Sequence, residues 1–565
     1  VGPTDEDIET TELLSRLPGI PDTAFGSASD YFTGLREKVD ASEIPVHRGE
    51  LYLEAHRGTY TAQGRTKSAG RDAEWSLVTA EALQAMHTLV GGSAQPATDD
   101  WRTVLDCQAH DVITGVSIAE VHTDAETRLR DIARRAKARQ RATTRLLARA
   151  VAPRGATPGF AVANPTLSER PLRLRVPADW NIGQRVGPDT RVLTAPDPLP
   201  PLSVTWREPV ADVPAPAAAT PTGGGVMLEN SEVRLLVGRG GAIDRLHDKR
   251  TGRDVLTGPG NVLSAWLDRP HFWDAWELSA EYRGCPLEPL VCESVETVES
   301  GPHRAAVRIR LRFRDSTVVQ DIRLWAGSAR VDIRTEIDWH ERRVALRAGF
   351  PVPTADADAI FECPYGVVHR PTSPEPADSD AQFEVPGQRF AAVEAADGWI
   401  ALLNNGRYGH RVRNGELSLT LLRSPVFPDP SCDEGRQQVT YAVLPYRGGW
   451  LDGGVLAEAE DLNAPLTAER WRLDRPGTWQ ALGASGLPLG LGAFKAAEDG
   501  DGLVLRVYEP AGRPGAARVA PPDGWRIHEE LDLLEDSAGA PAYDFRPHQI
   551  RSWRLVPDGP RRMPS

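Results

Sequence analysis

The sequence predicts a multidomain α+β protein: a short α/β segment, a three-helix bundle, then mainly antiparallel β-sandwich domains. Three observations carry this reading. At 565 residues the chain exceeds what one core supports, since cores stop growing near ~250–300 residues. Apolar residues recur at helical spacing between Thr61 and about Ala150. Beyond Gly159 the texture changes to short alternating runs broken by Gly, Pro, Asn and Asp.

In chain order, Val1-Gly2-Pro3 reads as a loop entering a capped helix at Thr4-Asp5-Glu6-Asp7, rather than as a natural start. That helix runs to residue 17 and stops at Pro18-Gly19. Ala24-Phe25-Gly26 predicts a brief strand and Ser29 the start of a second helix, together one strand–helix unit that cannot bury its own faces. From Thr61 to Val90 the positions Trp75, Val78, Ala82, Ala85 and Leu89, widened by Leu83, Met86 and Val90, form an apolar stripe that Gly91-Gly92 ends. A second bundle helix is expected from Asp99 towards His110. A third starts at Ser117, where Ser117-Ile118-Ala119-Glu120 reads as a capping box, and Thr123–Glu126 marks a continuation or a kink. Leu172–Val176, Val307–Phe313 and Val331–Trp339 alternate with period two, as half-buried strands do. Asn414-Gly415 and Arg239-Gly240-Gly241 predict hairpin turns, and the Pro- and Ala-rich stretch 196–225 predicts a linker. No helix-dominated segment is expected after Ala150.

Composition excludes several classes. The formal charge of −14 disfavours a nucleic-acid binder, and no apolar run approaches the ~20 residues of a membrane helix. Five cysteines (Cys107, Cys285, Cys292, Cys363, Cys432) without a CxxC pattern suit a reducing, cytoplasmic compartment and exclude a zinc-finger type site. No Walker loop, GxGxxG, GxSxG or HExxH is present.

Three stretches carry residue types suited to chemistry. Gln108-Ala109-His110-Asp111, followed by Thr114-Gly115, offers an imidazole that can ligate a metal and a carboxylate that can hold a sugar hydroxyl. On residue chemistry alone such a pair is more often a helix-end cap or a solvated pair. His56-Arg57-Gly58-Thr59-Tyr60-Thr61 supplies hydroxyl donors around a permissive glycine, with a self-satisfied loop as the bland alternative. Trp266–Glu277 packs three tryptophans and three carboxylates into twelve residues, as in a sugar contact or, more commonly, an aromatic core corner with satisfied polar tips. Asp338-Trp339-His340-Glu341 and Glu362–Arg370 invite a metal reading, but strand alternation favours a structural one. The alternating Arg308, Arg310, Arg312 and Arg314 read as a solvated sheet face.

Taken together these segments resemble the α-mannosidases of glycoside hydrolase family 38, most nearly its bacterial and cytosolic-type branch. Gly49–Glu54 with His56–Thr61 and Gln108–Asp111 with Gly115 carry the resemblance. Phe160–Pro165, Asp268-Arg269-Pro270, Trp273–Trp276, Asp338–Glu341 and Leu421–Pro425 follow in the family's order. The resemblance implies a zinc-dependent retaining hydrolase acting on terminal α-linked mannose, with His110 as a zinc ligand and Asp111 and Tyr60 binding substrate. The expected partner is an α-mannoside, with no nucleic acid or membrane, and a homo-oligomer is compatible with it.

It further implies the end of an α/β catalytic barrel over residues 1–48, a three-helix bundle over 49–155, and a small β region with linker over 156–225. A large β-sandwich over 226–435 and a C-terminal one over 436–565 complete the order. Ala109 departs from an aromatic or histidine common in relatives. The family's His-x-Asp zinc motif, nucleophile aspartate and acid/base carboxylate have no counterpart here, so no catalytic residue is assigned and the isolated chain is expected to be inactive. The alternative is a non-catalytic β-sandwich scaffold or carbohydrate-binding protein.

Overall fold

The computed structural model describes residues 3–559, apart from 22, 48–49, 211, 355–356, 374–380 and 395–398. Val1 and Gly2 of the opening loop and Gly49 of the Gly49–Glu54 stretch lie outside the described residues. The chain divides into two units, Val1–Leu53 and Glu54–Ser565.

The first unit holds helices α1 (Asp5–Leu14) and α2 (Ala28–Lys38). The expected capping box forms: the Thr4 hydroxyl accepts from the Asp7 amide at 3.2 Å and the Asp7 carboxylate accepts from the Thr4 amide at 2.8 Å. α2 is capped by Ser27, two residues before the expected start. The strand expected at Ala24–Gly26 does not form, because no segment pairs with it and Phe25 stays exposed. Neither helix buries a residue.

The second unit opens with the bundle. Helix α3 (Gly64–Leu89) packs along α6 (Ala119–Val151), with α4 (Thr98–Cys107) beside them. The stripe starting at Trp75 is only part of what α3 buries. Ala69, Ala73, Leu77 and Ala80 face Leu129, Ile132 and Ala136 of α6, while Ala82, Leu83, Ala85, Met86 and Leu89 enter a second core with Phe494, Leu505 and Trp553. A helix buried on two sides shows no single clean stripe, and Trp75 and Val78 themselves stay half-buried. α4 stops three residues before His110, which begins a separate turn, α5 (His110–Ile113). The Ser117 capping box does not form: Ile118 occupies the cap, and the Ser117 hydroxyl donates to the Asp111 carbonyl instead. α6 then runs unbroken through Thr123–Glu126, whose Thr123 hydroxyl bonds back to Ala119.

After α6 the described strands form antiparallel sheets. Strand Arg154–Asn164 begins five residues before the expected change of texture, and it lies between Thr467–Leu473 and Ser203–Arg207 in a four-stranded sheet. The expected linker over 196–225 is part strand, carrying the end of Thr190–Leu199, all of Ser203–Arg207 and Ala218–Thr222, with Leu199, Leu202 and Val204 buried, while the described residues of 208–217 hold no helix or strand. A nine-stranded sheet from Val291–Ser300 to Gly366–Pro371 faces a five-stranded one containing Val344–Pro351 and Glu416–Leu422. Phe350 meets Tyr441 edge-on at 6.5 Å between the two, and the Tyr441 hydroxyl donates to Asn261. The predicted arginine face is ion-paired: Arg308 with Asp321 and Arg312 with Glu293 across strands, and Arg314, in the turn that follows, with Glu288.

One helix escaped the sequence reading, α7 (Val455–Asn463). Its Glu458 and Asp461 receive Arg170 and Arg173 from one sheet and Arg330 from the residue before the strand Val331–Trp339 of another, the three arginines nearly solvent-free. The expected hairpin at Asn414-Gly415 forms, with φ of +53° and +76°. Gly415→Ala is therefore expected to cost about 1 kcal/mol, because a Cβ disfavours the left-handed region. A shift in urea midpoint at unchanged m-value is the check.

Candidate active-site face

The segment before α3 is set by two left-handed residues, His56 (φ +62°) and Gln63 (φ +59°), which bracket the turn Arg57–Tyr60. Non-glycine residues tolerate this region only where surroundings impose it. Here the His56 amide donates to Glu277 at 3.0 Å, the Gly58 amide to the Trp276 carbonyl at 2.9 Å, and the Gln63 amide group to Asp429 at 2.6 Å. Gly58 has no room for a side chain, since an added Cβ would lie 1.8 Å from Arg423 Nη1.

The second segment, His110–Ser117, is held to the first by a buried cation. Lys67 Nζ donates to the carbonyls of Ala62, Ile113 and Thr114, at 2.8 Å for Ile113 and 3.2 Å for Thr114. Burial pushes this ammonium down to about 7, with Asp433 pulling the other way. Gly115, at φ +85°, lies against the same Ala62 carbonyl, which would be 2.4 Å from an added Cβ. The backbone two residues after Tyr60 and the backbone two residues after Asp111 thus meet at one ammonium. Nothing in local spacing announced this role, although Lys67 sits two turns before Trp75 on the same helix.

The clamp leaves the polar side chains outward. His110 and Asp111 are 93% and 66% exposed, with Nε2 and Oδ2 3.5 Å apart, and Tyr60 is half-buried. This pair can bind something brought to the surface, but it supplies two donors where a catalytic zinc takes three protein ligands. No group of three His, Cys, Asp or Glu side chains able to hold a metal occurs among the described residues.

Trp266–Glu277 flanks the first segment. Its carboxylates are ion-paired, as the core-corner reading expects: Asp268 with Arg423, Asp274 with Arg343 and Glu277 with Arg57, although Asp268 Oδ1 is buried without a hydrogen-bond partner. Its aromatics are not all core, however. Phe272 and Trp273 are 76% and 61% exposed, and Trp273 packs with Trp276 and Phe427 at 5.2 and 5.8 Å. The two other metal-like runs are structural: Trp339 stacks on Phe313, Glu341 accepts from Ser316, and Glu362 pairs with Arg389.

Three family models match in sequence order. The alpha mannosidase middle domain covers residues 54–147, the glycosyl hydrolases family 38 C-terminal domain 228–431, and the family's C-terminal beta sandwich domain 489–553. The chain belongs to glycosyl hydrolase family 38. Curated relatives extend the match over nearly all of it. Alpha-mannosidase 2C1 of Mus musculus is 30% identical over 99% of this chain and 55% of its own length, and alpha-mannosidase G of Dictyostelium discoideum 28% over 98% and 57%. The chain therefore spans about half the length of these curated relatives. An alpha-mannosidase from Enterococcus faecalis V583 shares the fold, with TM-score 0.77 at 17% identity over 97% of this chain and 73% of that one. The middle-domain match takes in Tyr60, Lys67, His110 and Asp111, so the clamped face lies wholly inside a family 38 module.

Proposed function

We propose that the full-length protein is a zinc-dependent, retaining exo-α-mannosidase releasing terminal α-linked mannose from oligosaccharides or glycoconjugates, and that this chain is its C-terminal part. One observation carries the reading: within the family 38 middle domain, Lys67 and Gly115 stitch the Tyr60 and His110–Asp111 segments together with imidazole and carboxylate facing out. In this reading His110 is one zinc ligand, Asp111 accepts a sugar hydroxyl proton, and Tyr60 lines the same face. The remaining ligands and both catalytic carboxylates lie outside this chain. A bound zinc would supply Lewis acidity towards the sugar hydroxyls. Five cysteines, few and odd in number and without a CxxC pattern, support a reducing, cytoplasmic setting; no helix among the described residues is long and apolar enough to cross a membrane.

Two measurements test this. In the full-length protein, His110→Ala is expected to lower zinc content and aryl α-mannoside hydrolysis together; loss of neither would remove His110 from the site. The chain by itself, with zinc added, is expected to give no turnover. Robust turnover would show that the catalytic groups are already within it.

A further inference from the structure

Away from the His110 face, α3, α4, the hairpin formed by Asp358–Cys363 and Gly366–Pro371, and the C-terminal sandwich enclose a cleft of about 270 Å³. Its walls are aromatic. Trp75 and Trp101 stand half-buried on one side. On the other, Tyr365 occupies the hairpin tip at φ +62°, 42% exposed, with its ring edge-on to Tyr508 at 5.2 Å. A bulky residue in the left-handed region is disfavoured, and a turn alone would be better served by Gly or Asn. The ring is placed there despite that cost.

The polar groups suit a hydroxyl-bearing ligand. Glu74 is partly exposed and accepts from Gln108 Nε2 at 2.8 Å, leaving other lone pairs of its carboxylate for further donors. Arg71 donates to Gln388 Oε1 at 2.6 Å, which orients that amide at the rim. Charge in the lining balances: Arg71 and Arg389 against Glu74 and Glu362, with Glu362 and Arg389 paired in the floor. A balanced lining with aromatic faces favours a neutral ring carrying polar edges over an ion.

We propose that this cleft is a saccharide-binding subsite taking one neutral hexose of an α-mannosyl chain. The choice of sugar rests on the mannosidase reading; the existence of the site rests on the cleft. The Glu74–Gln108 hydrogen bond ties it to the strand of chain that carries His110, two residues further on. Along α3, Glu74 lies seven residues beyond Lys67, ~10 Å of axial rise, so a glycan reaching both places is longer than one residue.

The test is a titration of this chain with α-linked mannobiose and mannotriose, read by saturation-transfer NMR and tryptophan emission. Saturable binding is expected. Tyr365→Gly is expected to weaken it by at least about tenfold while leaving the melting temperature unchanged or higher, because glycine accepts the backbone that tyrosine does not. Glu74→Gln, which can keep an acceptor for Gln108, is expected to weaken binding severalfold. Absence of saturable binding, or Tyr365→Gly binding as the parent does, would overturn the proposal. Mannose 6-phosphate binding more tightly than neutral sugars would overturn the neutral-hexose assignment. Turnover by the full-length protein without binding here removes the cleft alone, whereas binding here without turnover there removes the mannosidase reading and leaves the cleft.

Discussion

Arg423→Leu is expected to destabilise the Glu54–Ser565 unit by about 3–5 kcal/mol, the range seen when one partner of a buried ion pair is removed. Arg423 has no exposure and Asp268 2%, and Arg423 Nε donates to Asp268 Oδ2 at 2.6 Å. Burial pushes the Asp268 carboxyl up and the guanidinium offsets part of that, so without Arg423 the carboxylate must either lie uncompensated or take up a proton. The same guanidinium donates to the carbonyls of Asp274, Ala275 and Glu277, which otherwise become buried acceptors without donors. Those carbonyls belong to the loop that receives Gly58, so the damage reaches the Tyr60 segment as well. Urea titration near neutral pH measures the loss. Asp268→Leu/Arg423→Leu should recover part of it, since both charges then leave together; a double variant as unstable as the sum of the singles would show that the pair is not coupled.

What was legible in the sequence follows the range of the forces involved. Period-two strands such as Val331–Trp339, the Asn414-Gly415 turn and the Thr4 capping box are settled by residues within a few positions of each other, and they form as read. Ser117 fails as a cap because its hydroxyl finds the Asp111 carbonyl, six residues back across the turn. Ala24–Gly26 fails as a strand because a strand needs a partner, which no local pattern supplies. α7 was missed because a nine-residue helix opened by Gly454 in a left-handed conformation carries no capping side chain, and its acidic residues answer to arginines far off in sequence.

The candidate face was half legible. His110, Asp111 and Tyr60 stand out by residue type and family order. The groups that position them, Lys67 reaching Ile113 and Arg423 reaching Asp268 across 155 positions, look like ordinary surface cations until the fold buries them. Phe272 and Trp273 erred in the opposite direction: their composition reads as core, while their position leaves them facing out.

Acidification supplies the second large effect, because three described histidines, His122, His303 and His410, are buried and burial holds each below its ordinary value, His122 and His410 furthest. His410 Nδ1 donates to the Tyr408 carbonyl at 3.1 Å and Nε2 accepts from Asn404 Nδ2 at 3.3 Å, so both ring nitrogens are used by the neutral form. Protonating Nε2 would set an N–H against the Asn404 amide hydrogens, and Arg370, Arg347 and Arg71 add like charge; burial, the larger cause, pushes His410 down to about 4. His122, 2% exposed beside Thr66 and Glu126, is pushed to about 4 by burial and by Lys67.

A histidine whose folded pKa is depressed binds its proton first in the unfolded state. Its contribution is present above the ordinary value near 6.5 and is lost as pH falls towards 4. His122 and His410 are each expected to remove about 2–3 kcal/mol between pH 7 and pH 4. The measurement is the urea midpoint from pH 7.5 to 4.5 in the parent and in His410→Asn. The variant should start lower, since Asn fills the cavity poorly, and then fall less steeply with acid. Parallel slopes in parent and variant would show that His410 is already charged when folded.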